Sequence, residues 1–233
     1  MLNILITRNR LIINKFAVRE ILIRKLMKTI RLTLAILFLL TAFGHPGSAQ
    51  SVPFITSGHS EDAFALVQES GAIPLLTDSL DYAGVIRATR HLKEDIEKVT
   101  GKTPQLALNT VPQADKMIII GSIGKNKYID ELVKQGKIDR SALSGKWEKY
   151  LIQTISDPMP GVGEALVIAG SDKRGTIYGV YELSGQIGVS PWYYWADVPV
   201  KRQEKLYMLR GSYTDGEPAV KYRGIFLNDE APA

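Results

Sequence analysis

Lys116-Met-Ile-Ile-Ile120 runs straight into Gly121-Ser-Ile-Gly124, and this junction of an unbroken apolar run with a glycine turn decides the fold class. A strand with one wet face alternates apolar and polar residues. Met117-Ile-Ile-Ile120 has bulky apolar side chains on both faces, as a central strand covered by helices would. Leu166-Val-Ile168, inside a candidate strand over 165–169, repeats the pattern. Further short β-rich runs lie outward at 63–67, 73–76, 105–108, 150–155 and 205–210. Helical patterns separate several of them, which is the signature of α/β layering and predicts a mixed sheet with helices packed on it.

The clearest helix is predicted over 81–99. Tyr82, Val85, Ile86, Thr89, Leu92, Ile96 and Val99 share one stripe, with Arg87, Lys93, Glu94 and Glu97 opposite. Asp78 or Ser79 is the expected cap at its start, and Gly101 at its end. A second helix is predicted from Arg174 to about Ile187, with Ile177, Val180, Tyr181, Ser184 and Ile187 on one face and Gly188 as its stop. Gly179 and Gly185 lower its intrinsic propensity, so packing must hold it. A third, shorter helix is predicted over 127–134. No internal repeat or low-complexity segment interrupts the pattern.

The ends carry a different signal. Residues 32–43 form an apolar run preceded by Lys28 and Arg31 and followed by Gly44, His45, Pro46, Gly47, Ser48 and Ala49. A charged region, an apolar core and small residues in that order read as a signal peptide, with cleavage expected after Ala49. A spanning helix needs about 20 apolar residues, so no stable membrane anchor is expected. The six cations among residues 1–26 fit this signal poorly, and Met27 is the expected start. The implied organisation is an upstream extension (1–26), a signal peptide (27–49) and an α/β domain (50–218). The start of a further domain, cut short, occupies 219–233. A periplasmic or secreted product follows.

The chain carries net charge +5, but residues 1–50 hold eight of its 29 cations and one of its 24 acids. The remainder has 21 cations against 23 acids, a net charge of −2, which gives no basic face for nucleic acid. Absence of cysteine excludes disulfides, thiolate metal sites, a Cys nucleophile and a lipid anchor on an N-terminal Cys. About 180 residues remain, enough for one domain with its own core.

Few residues offer chemistry. Gly170-Ser-Asp-Lys-Arg-Gly-Thr176 joins a buried strand to a helix, the place for a phosphate-binding turn, but its spacing matches neither nucleotide fingerprint. Asp172 is expected to cap the helix, and Gly175 to permit close packing. Gly121-Ser-Ile-Gly124 is expected to be a tight turn, and no cofactor is expected. His59 and His91, the histidines after the leader, lack metal-ligand spacing and read as surface residues. Trp192, Tyr193, Tyr194 and Trp195 form either a seam to a neighbouring domain or a platform for sugar rings. Asn228, Asp229 and Glu230 end a new apolar strand that begins near Lys221. If that strand opens a (β/α)8 barrel, its carboxylates face the active site; the other reading is that they cap a helix in an ordinary loop.

Three blocks carry a family resemblance: Gly170-Ser-Asp-Lys-Arg-Gly-Thr-Ile-Tyr-Gly179, Ser190-Pro-Trp-Tyr-Tyr-Trp-Ala-Asp-Val-Pro199 and Lys221-Tyr-Arg-Gly-Ile-Phe-Leu-Asn-Asp-Glu230. In this order they resemble glycoside hydrolase family 115. The resemblance implies α-glucuronidase activity, removing glucuronic acid or its 4-O-methyl form from glucuronoxylan with inversion. It also implies a (β/α)8 barrel, of which residues 219–233 would supply the first strand, the catalytic carboxylates lying beyond Ala233. This chain alone would then be inactive. Asp229, Asn228 and Glu230 would line the sugar pocket, with Arg174 or Arg223 pairing the uronic carboxylate. The partner class is a polysaccharide or oligosaccharide, and a homo-oligomer is open to the full-length protein. Two other readings stand beside it: a non-catalytic exported carbohydrate-binding module using Trp192 to Trp195, and a periplasmic solute-binding half-domain.

Overall fold

The computed structural model describes residues 24–31, 33, 53–56, 58 and 62–224, and the chain divides into two units, 1–51 and 52–233. In the first, residues 24–31 are helical and exposed. The apolar run apart from Thr33, the cleavage position at Ala49 and the first 23 residues lie outside the described residues. Among the described residues no helix is long and apolar enough to cross a membrane.

The second unit is mixed α/β, built on two sheets. The larger combines β4 (Leu75–Thr77), β5 (Leu106–Leu108), β6 (Lys116–Ser122), β7 (Tyr150–Met159), β8 (Val162–Gly170) and β10 (Ser212–Tyr213) in the order β10-β7-β8-β6-β4-β5. Neighbours among β5, β4, β6 and β8 are parallel, whereas β7 pairs antiparallel with β8 and β10 antiparallel with β7. The smaller sheet sets β1 (Ile55–Thr56), β9 (Leu206–Leu209), β2 (Ala63–Gln68) and β3 (Gly71–Ala72) side by side in that order, all antiparallel.

Alternation along the central strands sorts residues between two cores. Ile118 and Ile120 of β6, Leu166 and Ile168 of β8 and Leu75 of β4 join a core with helices α1 (Ala83–Thr100) and α3 (Lys173–Gln186). Met117, Ile119, Ala165, Val167 and Leu76 join the opposite core, which Ile129 and Leu132 of α2 (Lys127–Lys134) complete. Phe64, Leu66, Leu206 and Met208 of the smaller sheet pack into the first core. Both faces of β6 are therefore covered, which is why its sequence shows no polar residue from Met117 to Ile120.

The helices differ from expectation in instructive ways. Helix α1 starts after Tyr82 with no side-chain cap, because Asp78 accepts from the Leu80 and Lys127 N–H groups instead. Gly101 does end it, in the left-handed region at φ 71°. Its buried stripe takes in Ala88 and Asp95, leaving Tyr82 exposed and Ile86 half-buried. Helix α3 buries Gly175, Thr176, Gly179, Val180, Leu183 and Ser184, while Tyr181 is 44% exposed. A Cβ on Gly175 would stand 2.2 Å from the Lys149 carbonyl oxygen, and one on Gly179 would stand 2.9 Å from Ile168 Cγ2. The helix approaches the sheet through the side with least side chain, so its thin face is the buried one.

Candidate functional site

In an open α/β sheet, ligands bind at the carboxyl ends of the strands where the chain reverses its direction of winding. Here that point lies between β4 and β6: the chain leaves β4 through α1 to β5 on one side, and leaves β6 toward β8 on the other. It is filled by protein. Thr77, Asp78, Asp81, Ser122, Asn126 and Thr176 are all buried there. Asp81 Oδ2 accepts from Ser122 N at 2.8 Å and Asn126 Nδ2 at 3.1 Å, taking donors that an anion would need. Asn126 also donates to the Ile120 carbonyl at 3.0 Å and caps α2. Gly121 makes room for it: a Cβ there would lie 2.3 Å from the Asn126 side chain. The two glycine turns are thus packing devices, and every polar group of this network has a partner, as burial demands.

The first sequence block builds the junction of β8 and α3. Asp172 caps the helix, accepting from Gly175 N, and its other oxygen accepts from Glu148 N, each at 2.8 Å. Glu148, 7% exposed and with its backbone in the left-handed region at φ 52°, gathers two arginines. Arg174 Nη1 donates to Glu148 Oε1 at 2.8 Å, and Arg223 Nη2 donates to Glu148 Oε2. Arg223 also reaches Tyr178 Oη at 3.2 Å, and its guanidinium lies 5.8 Å from the ring centres of Trp147 and Tyr178. The hydrogen bond from Arg174, then that from Arg223, holds the Glu148 carboxyl below the usual range against the opposing effect of burial. Nearby, Tyr150 donates to Asp215 at 2.7 Å, and burial followed by that bond pushes its phenol far above its ordinary value. Residues of the first and third blocks therefore meet on one carboxylate, 26 and 75 positions away along the chain.

A cavity of about 570 Å³ lies between α1, α3 and the turn that follows α3. His91 and Asp95 line it from α1, Tyr181, Glu182, Ser184 and Gly185 from α3, and Ser190, Pro191, Tyr193 and Tyr194 from the aromatic segment. His91 Nδ1 and Tyr181 Oη share a hydrogen bond of 2.7 Å. Lys98 spans Asp95 at 3.0 Å and Tyr194 Oη at 3.3 Å, its ammonium 5.2 and 5.5 Å from the ring centres of Tyr193 and Tyr194. Burial pulls the Lys98 pKa down, but its bonds to Asp95 and Tyr194 more than offset this and leave it above the ordinary value.

Of the residues singled out in the sequence, Arg174 sits on Glu148 and so does Arg223. Asn228, Asp229, Glu230 and His59 lie outside the described residues, as does the strand expected near Lys221 beyond residue 224. His91 is half-buried against Tyr181 on the cavity wall, so its sequence reading as a plain surface residue is too simple. Trp192, Tyr194 and Trp195 are 60%, 76% and 77% exposed, with only Tyr193 and Tyr194 of the four reaching the cavity. Asp95 and Glu148 were missed. An acid buried in a helix stripe three residues before Lys98 is a signal for the first, while the second has no local signature because its partners are remote. Among the described residues, no cluster of three His, Asp or Glu is placed to hold a metal.

No protein-family model matches the chain, and no curated protein matches it. Among solved structures, it is similar to a family GH115 4-O-methyl-α-glucuronidase with specificity for decorated arabinogalactans, at 31% identity and a TM-score of 0.49. That match covers 62% of this chain and 17% of the other. It is also similar to a chitobiase of Flavobacterium johnsoniae, at 14% identity and a TM-score of 0.41, over 76% of this chain and 21% of that one. The chain spans only about a fifth or less of the length of either.

Proposed function

We propose that this chain supplies the leading α/β domain of an exported glycoside hydrolase that removes glucuronic acid, or its 4-O-methyl form, from glucuronoxylan side chains with inversion. The observation that carries the reading is the ordered trio of sequence blocks, at 170–179, 190–199 and 221–230. The Glu148 cluster gives two of the blocks a shared physical role. Arg174 and Tyr178 from the first and Arg223 from the third converge there, so the chain leaving the domain is clamped as the third block begins.

The proposed division of labour follows. The α/β domain orients the segment from Lys221 onward, and Asn228, Asp229 and Glu230 face the sugar. Arg174 pairs a uronic carboxylate only in a state in which Glu148 has released it. Inversion requires two carboxyl groups about 6.5–9.5 Å apart, one protonating the leaving oxygen and one activating water. Those two groups are expected beyond Ala233, and the chain alone is expected to be inactive.

The test is release of 4-O-methylglucuronic acid from glucuronoxylan by the protein expressed from its whole gene, with the anomeric proton followed by NMR. The first-formed product is expected to be the β anomer. No release, or an α anomer formed first, rejects the reading.

A further inference from the structure

The cavity between α1 and α3 has a chemistry of its own, away from the Glu148 cluster. Its volume falls in the range of about 300–1,000 Å³ usual for small-molecule sites. Its lining pairs flat rings with hydrogen-bonding groups of fixed position: Tyr181 and Tyr194 are 44% and 76% exposed, and beside them stand Asp95, Glu182, His91 and Ser190. Ser184, 3% exposed, also lines it, and its hydroxyl has no hydrogen-bond partner among the described residues. A buried hydroxyl left unpaired is destabilising, and a ligand hydroxyl reached by a side-chain rotation would relieve this.

Charge narrows the ligand. Two carboxylates and no lysine or arginine line the cavity, and Lys98 beside it is already taken by Asp95 and lies over the Tyr193 and Tyr194 rings. An anionic sugar would meet Asp95 and Glu182 with no lysine or arginine in the lining to pair it. A cationic ligand would compete with the Lys98 ammonium for the same tyrosine faces. An uncharged polyol ring suits both constraints, because its C–H face packs on a tyrosine ring while its hydroxyls donate to carboxylates.

We propose that this cavity binds a neutral pyranose unit of an oligosaccharide, through Tyr181, Tyr194, Asp95 and Glu182. The site stands whether or not the chain belongs to a glucuronidase, since its ligand is chosen by the lining alone. It differs from a platform formed by the whole aromatic run in leaving out Trp192 and Trp195.

Gly185 provides a clean test. A Cβ there meets nothing within 4 Å, yet the residue lines the cavity, so Gly185→Leu adds bulk at the cavity wall from an unobstructed Cβ. The 233-residue chain would be titrated with xylotetraose and, separately, with glucuronate, by calorimetry and tyrosine fluorescence. The expected result is saturable binding of xylotetraose with Kd of roughly 10⁻⁴–10⁻³ M, weakened at least about tenfold by Gly185→Leu and several-fold by Tyr181→Phe, with no displacement by glucuronate. No saturation at about 10 mM xylotetraose, binding unchanged in folded Gly185→Leu and Tyr181→Phe, or equal competition by glucuronate overturns the proposal. Loss of glucuronidase activity would leave this result untouched, so the two readings fail separately.

Discussion

Three glycines of helix α3 make a graded experiment in how closely a helix can approach a sheet. Each is replaced by alanine, which in an open helix position gains up to about 1 kcal/mol over glycine. At Gly185 nothing lies within 4 Å of the new methyl group, so the gain is expected to survive at about 0.5–1 kcal/mol. At Gly179 the methyl group would be 2.9 Å from Ile168 Cγ2 and 3.1 Å from Tyr150 Cβ. These are side-chain atoms that can give by tenths of an ångström. Overpacking of about 1–2 kcal/mol against the propensity gain leaves a net loss below about 1 kcal/mol.

At Gly175 the obstacle is backbone, with the Lys149 carbonyl oxygen at 2.2 Å where a carbon–oxygen contact needs about 3.3 Å. That carbonyl also accepts from Ser171 N at 2.8 Å, so it cannot retreat without breaking a strand-end bond. Overpacking of about 3 kcal/mol and a lost hydrogen bond of about 1 kcal/mol, less the propensity gain, predict a net loss of about 3 kcal/mol. At about 2–4 °C per kcal/mol for a domain of this size, Gly175→Ala should melt about 6–12 °C below the parent and Gly185→Ala about 1–4 °C above it. Thermal unfolding followed by circular dichroism reads the order directly. A Gly175→Ala variant melting within about 1 °C of the parent, or a Gly185→Ala variant melting below it, refutes the close-approach account of this helix.

Two further outcomes follow from the Glu148 region. Asp172→Ala removes the acceptor for both Gly175 N and Glu148 N and should cost about 1–2 kcal/mol in urea unfolding, while Asp172→Asn, which can still cap, should lose less than half of that. Glu148 and Glu164 both have folded-state pKa values below 4.5, the first through Arg174 and then Arg223, the second chiefly through Arg210. A depressed carboxyl contributes stability that is complete above its unfolded value and is lost as pH falls through the folded one. The urea midpoint should therefore drop below about pH 4.5, and Glu148→Gln should flatten that drop; an identical acid limb would show that the arginine pairs do not stabilise the fold.

How far this was readable from sequence depended on whether a residue's partners were local. Met117 to Ile120 announced a doubly covered strand, and the short helix expected over 127–134 is found at Lys127–Lys134, where Asn126 caps it. Helix α3 was placed correctly and Val180, Ser184 and Ile187 of its expected face are buried, but Tyr181 is not, and the buried Gly175 and Gly179 went unread because periodicity counts bulk and here the sheet selects for its absence. The strand near Leu206 was legible, as was its partner near Ala63, whereas its other partner Ile55–Thr56, and Ser212–Tyr213 on the larger sheet, are too short to show a period. The same limit applies to the sites. His91 gains its meaning from Tyr181, and Glu148 from Arg223, 90 and 75 positions away, and no local motif encodes either meeting. The aromatic segment was visible from composition, but which of its rings border a cavity depends on two helices that approach from elsewhere in the chain.

The order β1-β9-β2-β3 also dictates when the domain can be finished. β9 lies between two strands about 140 residues upstream of it, so neither β1 nor the longer side of β2 has its main partner until that late segment arrives. Three residues later β10 closes on β7, and the larger sheet gains its outermost strand in the same step. During synthesis the early strands wait as open edges, the condition under which chains pair with one another instead of with themselves. Both sheets are therefore complete only once residues 206–213 have arrived, and until then those edges stay exposed.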